Sequence, residues 1–153
     1  MTDGALLAIR PLQPRDREAW ERLWLSYLAF YGTSVPREVT DATWERLVFD
    51  GESPFGLIAL DVGGRGVGIA HYLFHVTTWH VGPACHLEDL FVAPDSRGGG
   101  IGRALIEAVY EAAERRGADE VYWLTQDFNV TARRLYDKLA EKTPFIKYRR
   151  PMP

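Results

Sequence analysis

The run Arg97-Gly98-Gly99-Gly100-Ile101-Gly102-Arg103 stands between a stretch rich in β-formers and a stretch with helical spacing. Its glycines therefore sit where a strand turns into a helix. The first amides of a helix have no partner within it, and the positive end of its dipole faces the same way, so such a junction is a ready anion site. Glycines let the backbone approach a phosphate with no side chain in the way, and Arg97 and Arg103 can add charge. A pyrophosphate suits this chemistry. Two better-known glycine motifs fail on the residues. In G-x-G-x-x-G the third glycine is replaced by Arg103 when counting from Gly98 and by Leu105 when counting from Gly100, and no Gly-Lys-Ser/Thr occurs. What remains is Arg-x-x-Gly-x-Gly. A loop that only turns a strand into a helix is the plain alternative.

Other residues of chemical interest lie on either side. Glu88 and Asp89 form a carboxylate pair in the middle of the strand-like segment before the loop, able to take a proton or simply to form ion pairs or accept from backbone amides. Tyr136 follows Asn129 by seven residues and Ala132 by four, which puts all three on one helical face, with Leu135 and Leu139 expected to supply core contacts. Cys85 adjoins His86, but neighbours on a strand point to opposite faces, so they cannot form a nucleophilic dyad without a bulge. A buried structural thiol is the expectation for Cys85. His71 and His75 share a strand face, yet no third ligand stands at a suggestive spacing, and no metal site is expected.

These residues need a scaffold, and the pattern supplies one. Leu6 to Ile9 reads as an opening strand, and a helix with Asp16 as N-cap runs to about Tyr31 before Gly32. Trp20, Trp24, Tyr27 and Tyr31 fall on one face of it. A second helix is expected from Asp41 to Phe49. Phe55 to Val62 and Val67 to Thr77 flank Gly63-Gly64-Arg65-Gly66 as a hairpin, and Cys85 to Val92 is a strand stopped by Ala93-Pro94. Gly100 to Arg116 is the clearest helix, with Ile101, Ala104, Leu105, Ala108 and Ala112 as its apolar face. Val121 to Thr125 is then a strand, Asn129 opens a helix to about Glu141, and Phe145 to Tyr148 is a last strand. The order β-α-α-β-β-β-α-β-α-β predicts an α/β fold with helices on both faces of a mixed sheet.

The whole chain bounds this reading. Its 153 residues suit one domain, 1–153, with a core large enough to need neither disulfide nor metal. A net charge of -3 gives no basic footprint for nucleic acid or an anionic membrane. One cysteine allows no intrachain disulfide, and the start of the chain lacks a long apolar segment, so a cytoplasmic, reducing setting is expected. Only the first few and last few residues read as loose.

The loop and its surroundings together resemble the GCN5-related N-acetyltransferases (GNAT). In that family a strand written much like Leu87-Glu88-Asp89-Leu90-Phe91-Val92-Ala93-Pro94 precedes the loop, and a helix opening Asn-x-x-Ala, with a tyrosine further on, comes later; here these are Asn129, Ala132 and Tyr136. Val121-Tyr122-Trp123-Leu124-Thr125 and the ending from Leu135 to Arg150 are similar to the histone-and-other-protein acetyltransferase subgroup and, more distantly, to diamine acetyltransferases. After Tyr136 the chain departs from a common family ending, since Ala140-Glu141-Lys142-Thr143-Pro144-Phe145 stands where a glycine-aromatic pair is usual.

The resemblance implies a GNAT fold with a mostly antiparallel sheet of six to seven strands, and acetyl-coenzyme A as co-substrate with no metal. It implies that Arg97, Gly98, Gly99, Gly100, Ile101, Gly102 and Arg103 hold the pyrophosphate. Asn129 and the backbone of Leu90, Phe91 and Val92 would hold the pantetheine arm, with Arg133 within reach of a phosphate. An alkyl ammonium has a pKa of about 10 and must lose a proton before attacking a thioester. Glu88 is the candidate base, with Asp89 the weaker one and otherwise a neighbour of the substrate. Tyr136 is the candidate acid for the leaving thiolate. The first two helices wall the acceptor site in this family, which makes Trp24, Tyr27 and Tyr31 candidate substrate neighbours. The expected activity is acetyl transfer to a primary amine of a small molecule by direct attack in a ternary complex. The alternatives are a protein lysine or N-terminus as acceptor, or a coenzyme A-binding sensor without turnover. A homodimer is plausible from relatives.

Overall fold

The computed structural model describes residues 5–153, so the first four residues, expected to be loose, lie outside it. The chain divides into two compact units between Trp123 and Leu124. The first unit is built on a five-stranded sheet in the order β1-β2-β3-β4-β5, formed by β1 (Leu6–Pro11), β2 (Phe55–Asp61), β3 (Gly66–His75), β4 (Ala84–Val92) and β5 (Glu120–Tyr122). Neighbours are antiparallel except β4 and β5, which run parallel. A parallel pair needs a crossover, and α3 (Ile101–Arg115) is part of it.

Two helices, α1 (Arg17–Phe30) and α2 (Arg37–Val48), share one sheet face. There Trp20, Leu23, Trp24 and Leu28 of α1 and Trp44 and Leu47 of α2 cluster with Ile58, Ile69 and Phe91 of the sheet. The Trp24 indole N–H, which needs a partner once buried, donates to Thr40 Oγ1 at 3.1 Å and so ties α1 to α2. The helix α2 starts four residues earlier than the Asp41 read from the pattern, because Pro36 sets an extended entry (ψ 149°) and its carbonyl accepts from Val39 N. Asp16 does stand at the N-terminus of α1 but makes no side-chain cap. Its carboxylate instead accepts from Arg10 and from the Gln13 amide, and the Arg10 hydrogen bond, more than any other influence, holds its pKa below the ordinary value.

On the other face lies α3. It buries Ile101, Leu105, Ile106, Val109, Ala112 and Ala113, whereas Ala104 and Ala108, expected on the apolar face, are only partly covered. The covered stripe is rotated toward the larger side chains, which bury more apolar area. Gly68 of β3 permits the approach of this helix: a Cβ there would lie 3.1 Å from both Leu105 Cδ1 and the Phe91 carbonyl oxygen.

The second unit carries α4 (Val130–Leu139), with Asn129 at its N-cap position. No strand forms over residues 145–148, so the sheet has five strands among the described residues, against the six to seven expected. Phe145, Ile146 and Tyr148 are exposed. A short run of β-formers marks strand preference but supplies no partner, and a strand without a paired neighbour gains no ladder. Among the described residues no helix is long and apolar enough to cross a membrane.

Candidate active site

The centre of the first unit is an irregularity in β4. His71 pairs with Asp89 and Tyr72 pairs with Leu87, so Glu88 is an extra residue on β4 with no opposite number on β3. This β-bulge reverses the alternation of faces. Before it, Leu87 shares a face with its partner Tyr72, which lies beside Ala112 and Arg116 on the α3 side. After it, Asp89 and Phe91 look toward α1. Glu88 itself is exposed, so the two carboxylates read as a pair have separate surroundings.

Asp89 is held by two donors. Tyr27 Oη–H donates to Oδ1 at 2.8 Å, and His71 Nδ1 lies 2.9 Å from Oδ2. Behind His71, Trp20 Nε1 is 2.9 Å from His71 Nε2, and both of these side chains are buried, at 0% and 2% exposure. Burial and the neighbouring Asp89 raise the Tyr27 phenol far above its ordinary pKa, so it stays protonated and can only donate to the carboxylate. Tyr31, raised by burial and again by Asp89, stands edge-on to Tyr27 at 5.1 Å. The α1 stripe thus grades from core to surface: Trp20 and Trp24 are buried, Tyr27 is half-buried, and Tyr31 is exposed. Trp24, expected as a substrate neighbour, stacks behind Tyr27 at 5.7 Å with its polar end turned to Thr40.

Beyond the bulge the sheet opens. Pairing of β4 with β5 covers only Ala84, Cys85 and His86, so β5 leaves the outer edge of Leu87 to Val92 uncovered. An extended ligand can add to such an edge by main-chain hydrogen bonds. The strand leads directly into the glycine loop, where Gly98 (φ +88°) and Gly100 (φ +81°) take left-handed conformations and Gly100 is the N-cap of α3. A Cβ at either glycine would meet nothing within 4 Å, so space lies open over the loop at the positive end of a 15-residue helix. That combination fits a phosphate group.

The arginines of the motif are less simply placed. Arg97 donates from Nε to the Val92 carbonyl at 3.0 Å, and its guanidinium lies over the Phe30 and Phe91 rings at 5.3 and 5.4 Å. Arg103 pairs with Glu107 one turn on, at 3.0 Å, with both side chains about half exposed. Each keeps donors for a further acceptor. In the second unit Asn129 Nδ2 donates to Thr125 Oγ1, Arg133 donates to the Asp127 carbonyl, and Tyr136 is half-buried on α4.

The remaining candidates have structural roles. Cys85 is buried and its thiol pKa is pushed up to about 11 by that burial. His86 stacks on Tyr122 at 4.7 Å, and His75 Nε2 lies 2.8 Å from Tyr122 Oη. Among the described residues, no group of three or more His, Cys, Asp or Glu is arranged to hold a metal ion. His71 is the residue that sequence reasoning missed. The pattern placed it on a strand face but carried no sign of a partner 51 residues away in Trp20.

The chain is similar to known proteins along most of its length. The profile of the Acetyltransferase (GNAT) family matches residues 17–140. The D-amino-acid N-acetyltransferase HPA3 of Saccharomyces cerevisiae is 39% identical over 145 residues, covering 94% of this chain and 90% of HPA3. The thialysine N-epsilon-acetyltransferase of Bos taurus is 36% identical over 98 residues, covering 58% of this chain and 57% of that protein. The ribosomal-protein-alanine N-acetyltransferase from Brucella melitensis biovar Abortus 2308 superposes with a TM-score of 0.78 at 25% identity, covering 95% of this chain and 99% of that one. By the profile and by the breadth of the HPA3 match, the chain belongs to the acetyltransferase (GNAT) family and is an acetyl-coenzyme A-dependent N-acetyltransferase.

Proposed function

We propose that this enzyme acetylates a primary amine on a small molecule, such as an amino acid or a polyamine, and that residues 1–153 act as one catalytic domain. The observation that carries this is the Asp89 carboxylate, fixed by Tyr27 and His71, 16% exposed, and set beside the aromatic stripe of α1. A carboxylate held in one orientation beside aromatic rings suits a compact ammonium group. The similarity to enzymes named for D-amino acids and thialysine supports the same reading, since both names denote small amine-bearing acceptors.

Bound acetyl-coenzyme A supplies the acetyl group as a thioester. The loop from Gly98 to Gly102 and the first amides of α3 hold its pyrophosphate, assisted by Arg97 and Arg103. The uncovered edge of β4 from Leu90 to Val92 takes the extended arm, and the family resemblance adds Asn129 and Arg133 to the binding set. Glu88, exposed on the bulge, takes the ammonium proton, directly or through water, so that the neutral nitrogen can attack. Asp89 is assigned to binding rather than proton transfer, because two donors fix it in place. Tyr136 holds at Oη the proton that the leaving thiolate requires, a role assigned by the family resemblance.

A thiol-release assay with acetyl-coenzyme A against polyamines, both enantiomers of amino acids, aminoglycosides and lysine-rich peptides tests the proposal. Turnover confined to one small-molecule class, and reduced in Tyr136→Phe, is the expected result. Preference for the peptides would make the acceptor a protein, and tight cofactor binding without turnover on any amine of the panel would point to an untested acceptor or to a coenzyme A-binding sensor.

A further inference from the structure

The hydrogen-bond chain behind Asp89 fixes the state of His71. An indole N–H can only donate, so the 2.9 Å contact between Trp20 Nε1 and His71 Nε2 requires a lone pair on Nε2. A proton on Nε2 would set two N–H groups against each other inside the core. The ring proton is therefore on Nδ1, and it donates to Asp89 Oδ2 at 2.9 Å. The alternative tautomer is excluded a second time, because it would aim the Nδ1 lone pair at a carboxylate oxygen. An imidazolium is excluded by the Trp20 contact. The His71–Asp89 contact is accordingly a neutral donor on an anion, not an ion pair, and Asp89 keeps its full negative charge.

Lone pairs complete the argument. A carboxylate offers about four acceptor sites, of which Tyr27 takes one on Oδ1 and His71 one on Oδ2. Among the described residues this leaves one site on each oxygen, and the side chain retains 16% exposure through which to present them. A cation in place of His71 would have cancelled the charge. An apolar residue would have left Oδ2 free to rotate away.

We infer that Trp20 and His71 are positioning residues for the acceptor amine: Trp20 keeps Nε2 of His71 bare, and the neutral Nδ1–H ring orients Asp89 while leaving its charge for the substrate ammonium. This rests on the reading of Asp89 as the acceptor anchor. Neither residue touches substrate. Both act through the carboxylate, and the effect falls on acceptor binding rather than on the acetyl donor.

Two measurements on the full chain test this. Nitrogen-15 spectra of the histidine rings at pH 7.5 read the tautomer directly and need no substrate. The expected result is a protonated Nδ1 and a bare Nε2 for His71 in the wild type, with an Nε2–H signal appearing beside the retained Nδ1–H in Trp20→Phe. An Nε2–H tautomer or an imidazolium in the wild type overturns the inference, as does a Trp20→Phe spectrum unchanged from wild type. Steady-state kinetics then separate positioning from general support of the fold. His71→Leu is expected to raise the acceptor KM about tenfold, with kcat and the acetyl-coenzyme A KM within about threefold, while His71→Asn, which keeps a donor near the Nδ1 position, restores most of the acceptor affinity. Equal loss in His71→Asn and His71→Leu, or loss confined to kcat, overturns it. Asp89→Asn distinguishes the two levels of the argument. A raised acceptor KM in Asp89→Asn beside a normal one in His71→Leu removes the positioning role alone, and a normal KM in both removes Asp89 as the anchor. Should His71→Leu fail to fold, the Trp20→Phe spectrum still decides.

Discussion

Trp20 on α1 and His71 on β3 are joined by a buried hydrogen bond of 2.9 Å, which makes one side chain of the helix answerable for the protonation of one in the sheet. Trp20 also stacks on Trp24 at 5.9 Å and packs against Trp44 at 5.1 Å, so the same residue organises the core between α1, α2 and the sheet. Trp20→Phe keeps most of the apolar contact and removes the donor. Leaving a buried acceptor unpaired costs about 1–3 kcal/mol, so urea unfolding should show a loss in that range. Trp20→Ala adds a cavity and should lose about 3–5 kcal/mol. No loss in Trp20→Phe would mean that the hydrogen bond contributes nothing.

The bulge at Glu88 predicts divided labour between adjacent carboxylates. Glu88→Gln removes a proton acceptor and should lower kcat about 10²- to 10⁴-fold, the usual range for a positioned acid or base. Tyr136→Phe, by the role proposed for it, should lower kcat by a similar factor. In both, the acetyl-coenzyme A KM should change little. Asp89→Asn should act mainly on the acceptor KM. Steady-state kinetics with saturating acetyl-coenzyme A resolve these patterns, and a kcat effect larger in Asp89→Asn than in Glu88→Gln would exchange the two roles.

What the sequence revealed and what it hid follow from the range of the interactions involved. The junction at Gly98 to Gly102 and the helix after it were legible because backbone freedom and helical spacing are local properties. The α1 stripe was legible as a face, but not its gradient from buried Trp20 to exposed Tyr31, since burial depends on what the sheet covers. The bulge left no mark, because one extra residue in a strand still alternates on paper. Only the pairing of His71 with Asp89 and Tyr72 with Leu87 exposes it. Residues 145–148 show the converse, a strand-like pattern that finds no partner strand among the described residues.

Gly100 offers a test of the anion site that leaves every polar side chain in place. Its φ of +81° is left-handed, and a Cβ there would meet no atom within 4 Å, so Gly100→Ala introduces backbone strain without a steric clash. The strain is about 1–2 kcal/mol. Relief comes by rotating the loop away from the geometry that aims the α3 amides outward. Coenzyme A affinity should therefore fall by about tenfold in calorimetry, more than the small drop in thermal stability suggests, and acceptor KM should be unaffected at saturating cofactor. A stability loss with unchanged coenzyme A affinity would restrict Gly100 to a turn-forming role.

Cys85 supplies a prediction about pH. It is fully buried, and burial raises its thiol pKa to about 11, so at neutral pH it is protonated and screened from reagents. Ellman's reagent at pH 8 should label it slowly in the native enzyme and rapidly in urea, with activity surviving the native incubation. A raised folded-state pKa means that the folded form binds the proton more tightly than the unfolded chain, whose thiol titrates near about 8.5. The stability that this contributes is present in full below about 8.5 and is lost as pH rises toward about 11. The stability difference between wild type and Cys85→Ala, measured by denaturant unfolding, should therefore narrow over that window. Taking the difference cancels the tyrosines and lysines that titrate in the same range, so a constant difference across the window would mean that Cys85 titrates as it does in the unfolded chain.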